Sequence, residues 1–477
     1  PQEVWKHFHT LTQIPRPSKR EAGITEYMKN FGENLGLETI VDEVGNVIIK
    51  KAATSGMENR KGVVLQGHLD MVPQKNSDTE FDFEKDPIVA MIDGDWVTAD
   101  GTTLGSDNGI GVAAAMGVLE STSLKHGPIE ALFTVDEETG MTGAFGLKAG
   151  LLDGDILINM DSEDEGELYV GCAGGIDVSA LKSYVEEDSP TGHTAYMIHV
   201  EGLKGGHSGI DIPLGRANAN KILFRFLMQA ESDLNIRLSE ATGGDLRNAI
   251  PRESQAIVLV PSNLEGKLEE LVIGYQTIYQ KEFSDTEPDL TFTCKKTDLP
   301  ASVVPKQDQY KFIRAIFACP NGVQRMSQSM KGLVETSNNL AIAKVKEGEF
   351  LALNLTRSSV DSAKEATAWK IAAVFHLMDA KVELSGEYPG WKPNMDSPIL
   401  KTCQDVYNKN FGKIPEIKAI HAGLECGLLG GVYPNLDMIS FGPTIRFPHS
   451  PDEKVEINTV RKFWDFLVAI LENIPEK

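Results

Sequence analysis

The chain has 477 residues, 41% hydrophobic and 24% charged, which excludes a disordered or fibrous protein and allows roughly two or three domains. Lys plus Arg number 46 against 69 Asp plus Glu, and the formal charge of −23 repels phosphate backbones and anionic lipid, so neither nucleic acid nor a membrane surface is an expected partner. No apolar run approaches the ~18–20 residues of a bilayer span, the first residues lack a basic-then-apolar leader, and the five scattered cysteines form no Cys-x-x-Cys pair, so a soluble, cytoplasmic protein with reduced thiols is expected.

Taken in order, the first part of the chain alternates β and α. Residues 63–67 form an apolar strand-type run that ends in His68-Leu69-Asp70. Asp107-Asn108-Gly109 opens an Ala-rich helical stretch over 110–119. Residues 129–135 and 155–160 read as buried strands, ending in Asp136-Glu137-Glu138 and Asp161-Ser162-Glu163-Asp164. Strands separated by helices predict a parallel sheet covered on both faces, with ligands at the strands' carboxyl ends. Each of these strands runs into a polar cluster at that end.

The texture changes after Ser189-Pro190-Thr191-Gly192. Strand 195–200, helix 217–229, strands 234–238 and 255–260, helix 264–283 and strand 290–294 make one β-α-β-β-α-β block. A similar order follows: helix 309–317, strand material over 340–355, helix 363–378 and strand 382–384. This suggests an inserted, doubled α+β domain, although no sequence repeat accompanies the doubling. From about Asp396 the α/β pattern resumes with helix 399–407, strands 417–420 and 438–441, and helix 459–471. The expected fold is therefore α/β: a three-layer core domain with a mostly parallel sheet (1–185 and 389–477), interrupted by an inserted α+β domain (186–388).

Histidines and carboxylates meet at only a few of these strand ends. His68 and Asp70, two apart on a strand, face the same way, so the carboxylate can orient the imidazole for a metal. The same pair also suits a surface hydrogen bond. Asp107 serves equally as a turn and cap residue, and Gly109-Ile110-Gly111 imitates part of a dinucleotide fingerprint without the strand that should lead into it. Glu137 and Glu138 repel each other unless a cation, a shared proton or solvent relieves them. Asp161 belongs either to the sheet end or to an acidic loop, and His449, after a late strand, to either a site or the scaffold. As a set, two neutral histidines with Asp107, Glu138 and Asp161 match the nitrogen/oxygen ligands of a two-zinc hydrolase. Asp107 would bridge two divalent ions, with His68 and Asp161 on one and Glu138 and His449 on the other. Asp70 would then stand behind His68, and Glu137 would be free to act as a base.

The segments Gly67-His68-Leu69-Asp70, Gly105-Ser106-Asp107-Asn108-Gly109, Asp136-Glu137-Glu138-Thr139-Gly140, Asp161 and the late His449 together resemble the M20 family of di-zinc metallopeptidases, and within it the aminoacyl-histidine dipeptidase branch. The resemblance covers essentially the whole chain. It implies that His68 and His449 are metal ligands, that Asp107 bridges, and that Glu137 is the general base. The inserted domain would be the family's lid. His207 in Gly205-Gly206-His207-Ser208-Gly209 matches the lid histidine that stabilises the oxyanion, and Asn248 in Asn248-Ala249-Ile250-Pro251 matches the lid asparagine. Arg357 matches the arginine that grips the substrate's carboxylate, while His421 and Glu425 align with the last active-site loop. Against these stand a plain glycine turn at 205–206 and a surface ion pair for Arg357.

The implied activity is hydrolysis of Xaa-His and similar unblocked dipeptides, carnosine-like ones included, on two zinc ions, with cobalt or manganese as other occupants. A dipeptide is the expected partner, and a homodimer through the lid fits the same resemblance. Two rivals remain at this level. One is an N-acyl amino acid deacylase or carboxypeptidase of the same family, and the other is a metal-binding protein without turnover. No nucleophile elbow or Cys-His context supports a serine or cysteine hydrolase.

Overall fold

The structure, a computed structural model, describes residues 1–477. The chain divides into two compact units, one of residues 1–171, 393–419 and 424–477, the other of residues 172–392 and 420–423. No helix is long and apolar enough to cross a membrane, and none of the five cysteines is in a disulfide.

The first unit is built on an eight-stranded sheet in the order Glu38–Val41, Val47–Lys51, Ile129–Thr134, Val63–His68, Ile156–Asn159, Asp437–Ser440, Glu167–Cys172 and Glu416–Ile420. Its four central strands, Ile129–Thr134 through Asp437–Ser440, run parallel. The pairs at Val47–Lys51 and Glu167–Cys172 are antiparallel. Those central strands are apolar on both faces and almost wholly buried, as a sheet covered on two sides requires. The Ala-rich stretch forms the helix Ser106–Glu120, buried from Ser106 to Leu119. Small residues let it sit close to the sheet: a Cβ on Gly67 would meet Asn108 Oδ1 at 2.3 Å, and one on Gly111 would meet Met160 O at 2.7 Å. The amphipathic helices Gln2–Thr12 and Ala22–Asn34 and the hairpin Ala90–Asp93/Trp96–Ala99 belong to the same unit and carry none of the motifs.

The second unit contains one antiparallel sheet of nine strands. Along it lie His193–Glu201, Ser254–Pro261, Arg237–Gly243 and Thr291–Lys296, with the helices Ala219–Leu234 and Glu265–Glu282 between them in sequence. In sheet order, the strands of this β-α-β-β-α-β block stand fourth, first, third, second. The remaining four main strands repeat that order. Lys381–Tyr388, Gly174–Ser183, Glu349–Ser358 and Val334–Lys346 are again fourth, first, third, second, with helices Lys306–Ala318 and Asp361–His376. The two blocks join through their second strands, Arg237–Gly243 and Val334–Lys346. The doubling is thus topological. The second block's opening strand, Gly174–Ser183, lies before the whole first block in sequence, so the second unit begins at Cys172, ahead of the change in texture at Ser189. The strand material over 340–355 is two longer strands that turn at Glu347-Gly348, where Glu347 has φ 54° and Gly348 φ 76°. The core of this unit is rich in aromatic contacts, including Phe226, Tyr275, Tyr279 and Phe292.

Candidate metal centre

Register aligns the carboxyl ends of three strands. His68 pairs with Thr134, and Gln66 pairs with Asn159, so the residues that follow, 135–138 and 160–161, leave the sheet at the same edge as His68. Asp136 turns the chain there with a left-handed φ of 52°, which aims Glu137 and Glu138 back over the strand ends. Asp107 arrives at the start of the helix Ser106–Glu120, and His449 on a loop where both Phe447 (φ 54°) and His449 (φ 62°) are left-handed. Such backbone is costly for residues with a side chain and collects at sites that need one orientation.

Asp107 is the centre of the arrangement. Its Oδ1 lies 3.1 Å from His68 Nε2 and its Oδ2 lies 3.2 Å from His449 Nε2. His68 Nε2 also stands 3.3 Å from Asp161 Oδ1, and His449 Nε2 stands 3.0 Å from Glu138 Oε2. Each imidazole nitrogen therefore faces two carboxylate oxygens, while it carries at most one proton. Within each of the groups His68/Asp107/Asp161 and Asp107/Glu138/His449, the donor atoms lie within 4.8 Å of one another. Glu138 Oε1 is buried without a hydrogen-bond partner and Asp161 Oδ1 faces only the His68 Nε2 that it shares with Asp107, an expensive state for carboxylates unless a cation answers them. The donor chemistry, imidazole nitrogen with carboxylate oxygen and no thiolate, fits two divalent ions sharing one carboxylate.

Electrostatics agree. The hydrogen bonds to Asp107 and Glu138 raise His449 to about 11. Burial works against a charged His68, yet Asp161, Asp107 and Asp70 lift its pKa well above the usual imidazole value. Burial raises Asp161 and Glu137 far above ordinary carboxylates. Asp70, fully buried, is held near 2: burial opposes its ionisation, but His68, the Glu137 amide and the Ser18 hydroxyl outweigh it. Its Oδ1 lies 3.3 Å from His68 Nδ1 and accepts from Glu137 N at 3.0 Å, and its Oδ2 accepts from Glu138 N at 3.2 Å. One carboxylate thereby orients the histidine and the Glu137-Glu138 turn together.

The alternative readings resolve residue by residue. His68-x-Asp70 is buried, not a surface pair. The acidic-loop description suits Asp164, which pairs with Arg446 at 2.7 Å, while Asp161 turns inward. Glu425 is buried beside the ligand strands, accepting from Gln66 Nε2 at 2.6 Å and Thr134 Oγ1 at 2.8 Å, and burial raises it to about 7.

Within the second unit, the two-residue strand Gly206–His207 pairs with Ala249–Ile250, and Ser208 N donates to Asn248 O at 2.8 Å, so the lid histidine and asparagine segments are neighbours. His207 Nδ1 accepts from the amides of Gly209 (3.1 Å) and Ile210 (3.0 Å), so the neutral ring carries its proton on Nε2. Arg357 is buried, and no nitrogen of its guanidinium pairs with a carboxylate; Nε reaches Ser208 Oγ at 3.4 Å and Nη1 reaches Tyr388 Oη at 3.0 Å. The surface-ion-pair alternative for Arg357 therefore does not hold. His421 belongs to this unit too: its Nε2 lies 2.7 Å from Ser337 Oγ, and burial, then the nearby Arg357 and His207, depress it to about 3. The turn at Gly205-Gly206 is real, with φ of 64° and 136°, and His207 follows it directly.

Sequence reasoning passed over Arg16, Ser18 and Glu453, which grip the ligand-bearing loops. A lone Arg, Ser or Glu carries no pattern, so nothing in the sequence singles them out.

A family model described as peptidase family M20/M25/M40 matches residues 64–473. The chain is 46% identical, over all 477 residues and 98% of the relative, to a protein of Escherichia coli (strain K12) named cytosol non-specific dipeptidase. Among solved structures it superposes on the aminoacylhistidine dipeptidase of Vibrio alginolyticus with a TM-score of 0.96 and 51% identity, covering 100% of this chain and 97% of that one. The aminopeptidase PepT of Bacillus cereus shares the fold at a TM-score of 0.58 and 17% identity, covering 99% and 98% of the two chains.

Proposed function

The chain belongs to peptidase family M20/M25/M40, and from that premise we propose that it is a cytosolic metal-dependent dipeptidase acting on Xaa-His and similar unblocked dipeptides. The observation that carries this reading is the placement of Asp107, with one carboxylate oxygen toward each imidazole, His68 and His449. His68 and Asp161 would hold one ion and Glu138 and His449 the other, with zinc as the first choice for such donors.

Bound divalent ions would supply an acidified water and Lewis-acid polarisation of the scissile carbonyl. The protein's own groups do the rest. Glu137, whose amide is pinned by Asp70, takes the proton from the attacking water on its carboxylate and returns it to the leaving amine; burial raises its pKa in the direction this exchange needs. His207 offers Nε2–H to the developing oxyanion, since Nδ1 is committed to two amides. Arg357, buried without a carboxylate partner, suits the free carboxylate of a short substrate. Asn248, His421 and Glu425 complete the proposed set, His421 as a neutral imidazole.

Metal analysis combined with a substrate panel tests the reading. Two equivalents of zinc, chelator-sensitive cleavage of Ala-His and β-Ala-His, and slow turnover of N-acetyl amino acids are expected. Preferential hydrolysis of the N-acetyl compounds would make it a deacylase, and metal binding without any turnover would make it a binding protein.

A further inference from the structure

Glu453 is a carboxylate buried far from any solvent-facing role: only 2% of it is exposed. It lies four residues beyond His449, just before the strand Lys454–Glu456. Both of its oxygens are spent on the loop that presents Asp107. Oε2 accepts from Leu104 N at 2.8 Å and Gly105 N at 2.9 Å. Oε1 accepts from Ser106 N at 2.8 Å, Ser106 Oγ at 2.5 Å and Asp107 N at 3.3 Å. These donors come from more than three hundred residues away in sequence. Buried Arg16 holds the same loop, donating Nη2 to Gly105 O at 2.5 Å and Nη1 to Leu69 O at 2.9 Å and Asp70 O at 3.0 Å. The loop of Asp107 is therefore fastened twice. Arg16 ties it to the segment of His68, and Glu453 ties it to the segment of His449.

We propose that Glu453 is a positioning residue that sets the distance between Asp107 and His449, and so builds one half of the metal centre, the half made by Asp107, Glu138 and His449. The inference rests on the two-ion reading above. Its physical basis is that the loop of His449 has left-handed residues at Phe447 and His449 and half-exposed surroundings, with no buried packing of its own to hold the imidazole against Asp107. Five hydrogen bonds to one carboxylate replace that packing. The His68 half keeps its own fastening through Arg16 and lies on a buried strand.

The test is a zinc titration of chelator-stripped full-length protein, wild type against Glu453→Gln, followed by calorimetry. An amide at this position presents N–H groups to the donors of the Leu104–Asp107 loop and breaks part of the cradle. The wild type binds two equivalents. In Glu453→Gln one equivalent weakens ~10–100-fold while the other stays within about 3-fold, the range known for loss of groups that orient metal ligands. Ser106→Ala, which removes a single bond, weakens the same equivalent by a smaller factor and guards against a variant that fails to fold. Thermal unfolding of the metal-free proteins measures general damage separately. Two unchanged equivalents in both variants, or equal weakening of both equivalents, overturns the proposal. A wild type that binds fewer than two equivalents overturns the two-ion reading itself.

Discussion

Histidine is used in opposite ways in the two units. In the first, His68 and His449 are surrounded by carboxylates and their pKa values are driven up. In the second, His207 and His421 sit near Arg357 and are driven down, by burial first and by the cation second. The same side chain is thus placed where positive charge gathers in one unit and where it is refused in the other. The first environment has the donor set to suit cations. The second keeps imidazoles neutral beside an unpaired guanidinium, an arrangement suited to an anion and to a neutral hydrogen-bond donor.

That contrast can be broken at four points. The largest effect is expected at Glu137. Glu137→Ala should retain its metal yet lose turnover by ~10²–10⁴-fold or more, measured as kcat beside metal content; near wild-type kcat would remove the base from the first environment. His207→Ala should lower kcat by ~10²–10³-fold without altering zinc stoichiometry, and a loss of metal instead would mean that the second cluster is another part of the cation holder. Arg357→Ala should raise KM for dipeptides ~10–100-fold, the loss of hydrogen bonds to a charged group, and leave substrates lacking a free carboxylate little changed; equal effects on both would refute an anion site.

The smallest effect concerns stability. His421 falls from an ordinary 6.5 to about 3 in the fold, so between those values the unfolded chain binds the proton and the folded one does not. Stability therefore rises with pH through this window and is lost as pH falls below 6.5. Going from pH 7 to pH 5, this one group should cost on the order of 2 kcal/mol. Denaturant unfolding of His421→Asn at the two pH values should show a shallower loss than wild type, and an equal slope would place the acid sensitivity elsewhere.

Much of the first unit is legible in its sequence because its signals are local. Apolar runs such as 63–67 and 129–135 announce buried strands, and the polar residues that end them announce the sheet edge. The second unit is harder to read. Its doubling is invisible as a repeat, because the strand that opens the second block, Gly174–Ser183, is separated from its own helices by the entire first block. Arg16 and Glu453 are silent for a related reason: their significance lies in backbone groups hundreds of residues away, and a lone charge has no periodicity to betray that.

Sequence alone determined the candidate ligand types, the strand ends that carry them and the family to which they point, since residue chemistry and short-range pattern are local properties. Tertiary structure alone decided that Asp107 shares its two oxygens between His68 and His449, that Arg357 is buried without a carboxylate, and that His421 groups with the second unit. Those facts depend on which distant segments are brought within hydrogen-bonding range, and that is settled by burial and sheet register rather than by any neighbour along the chain.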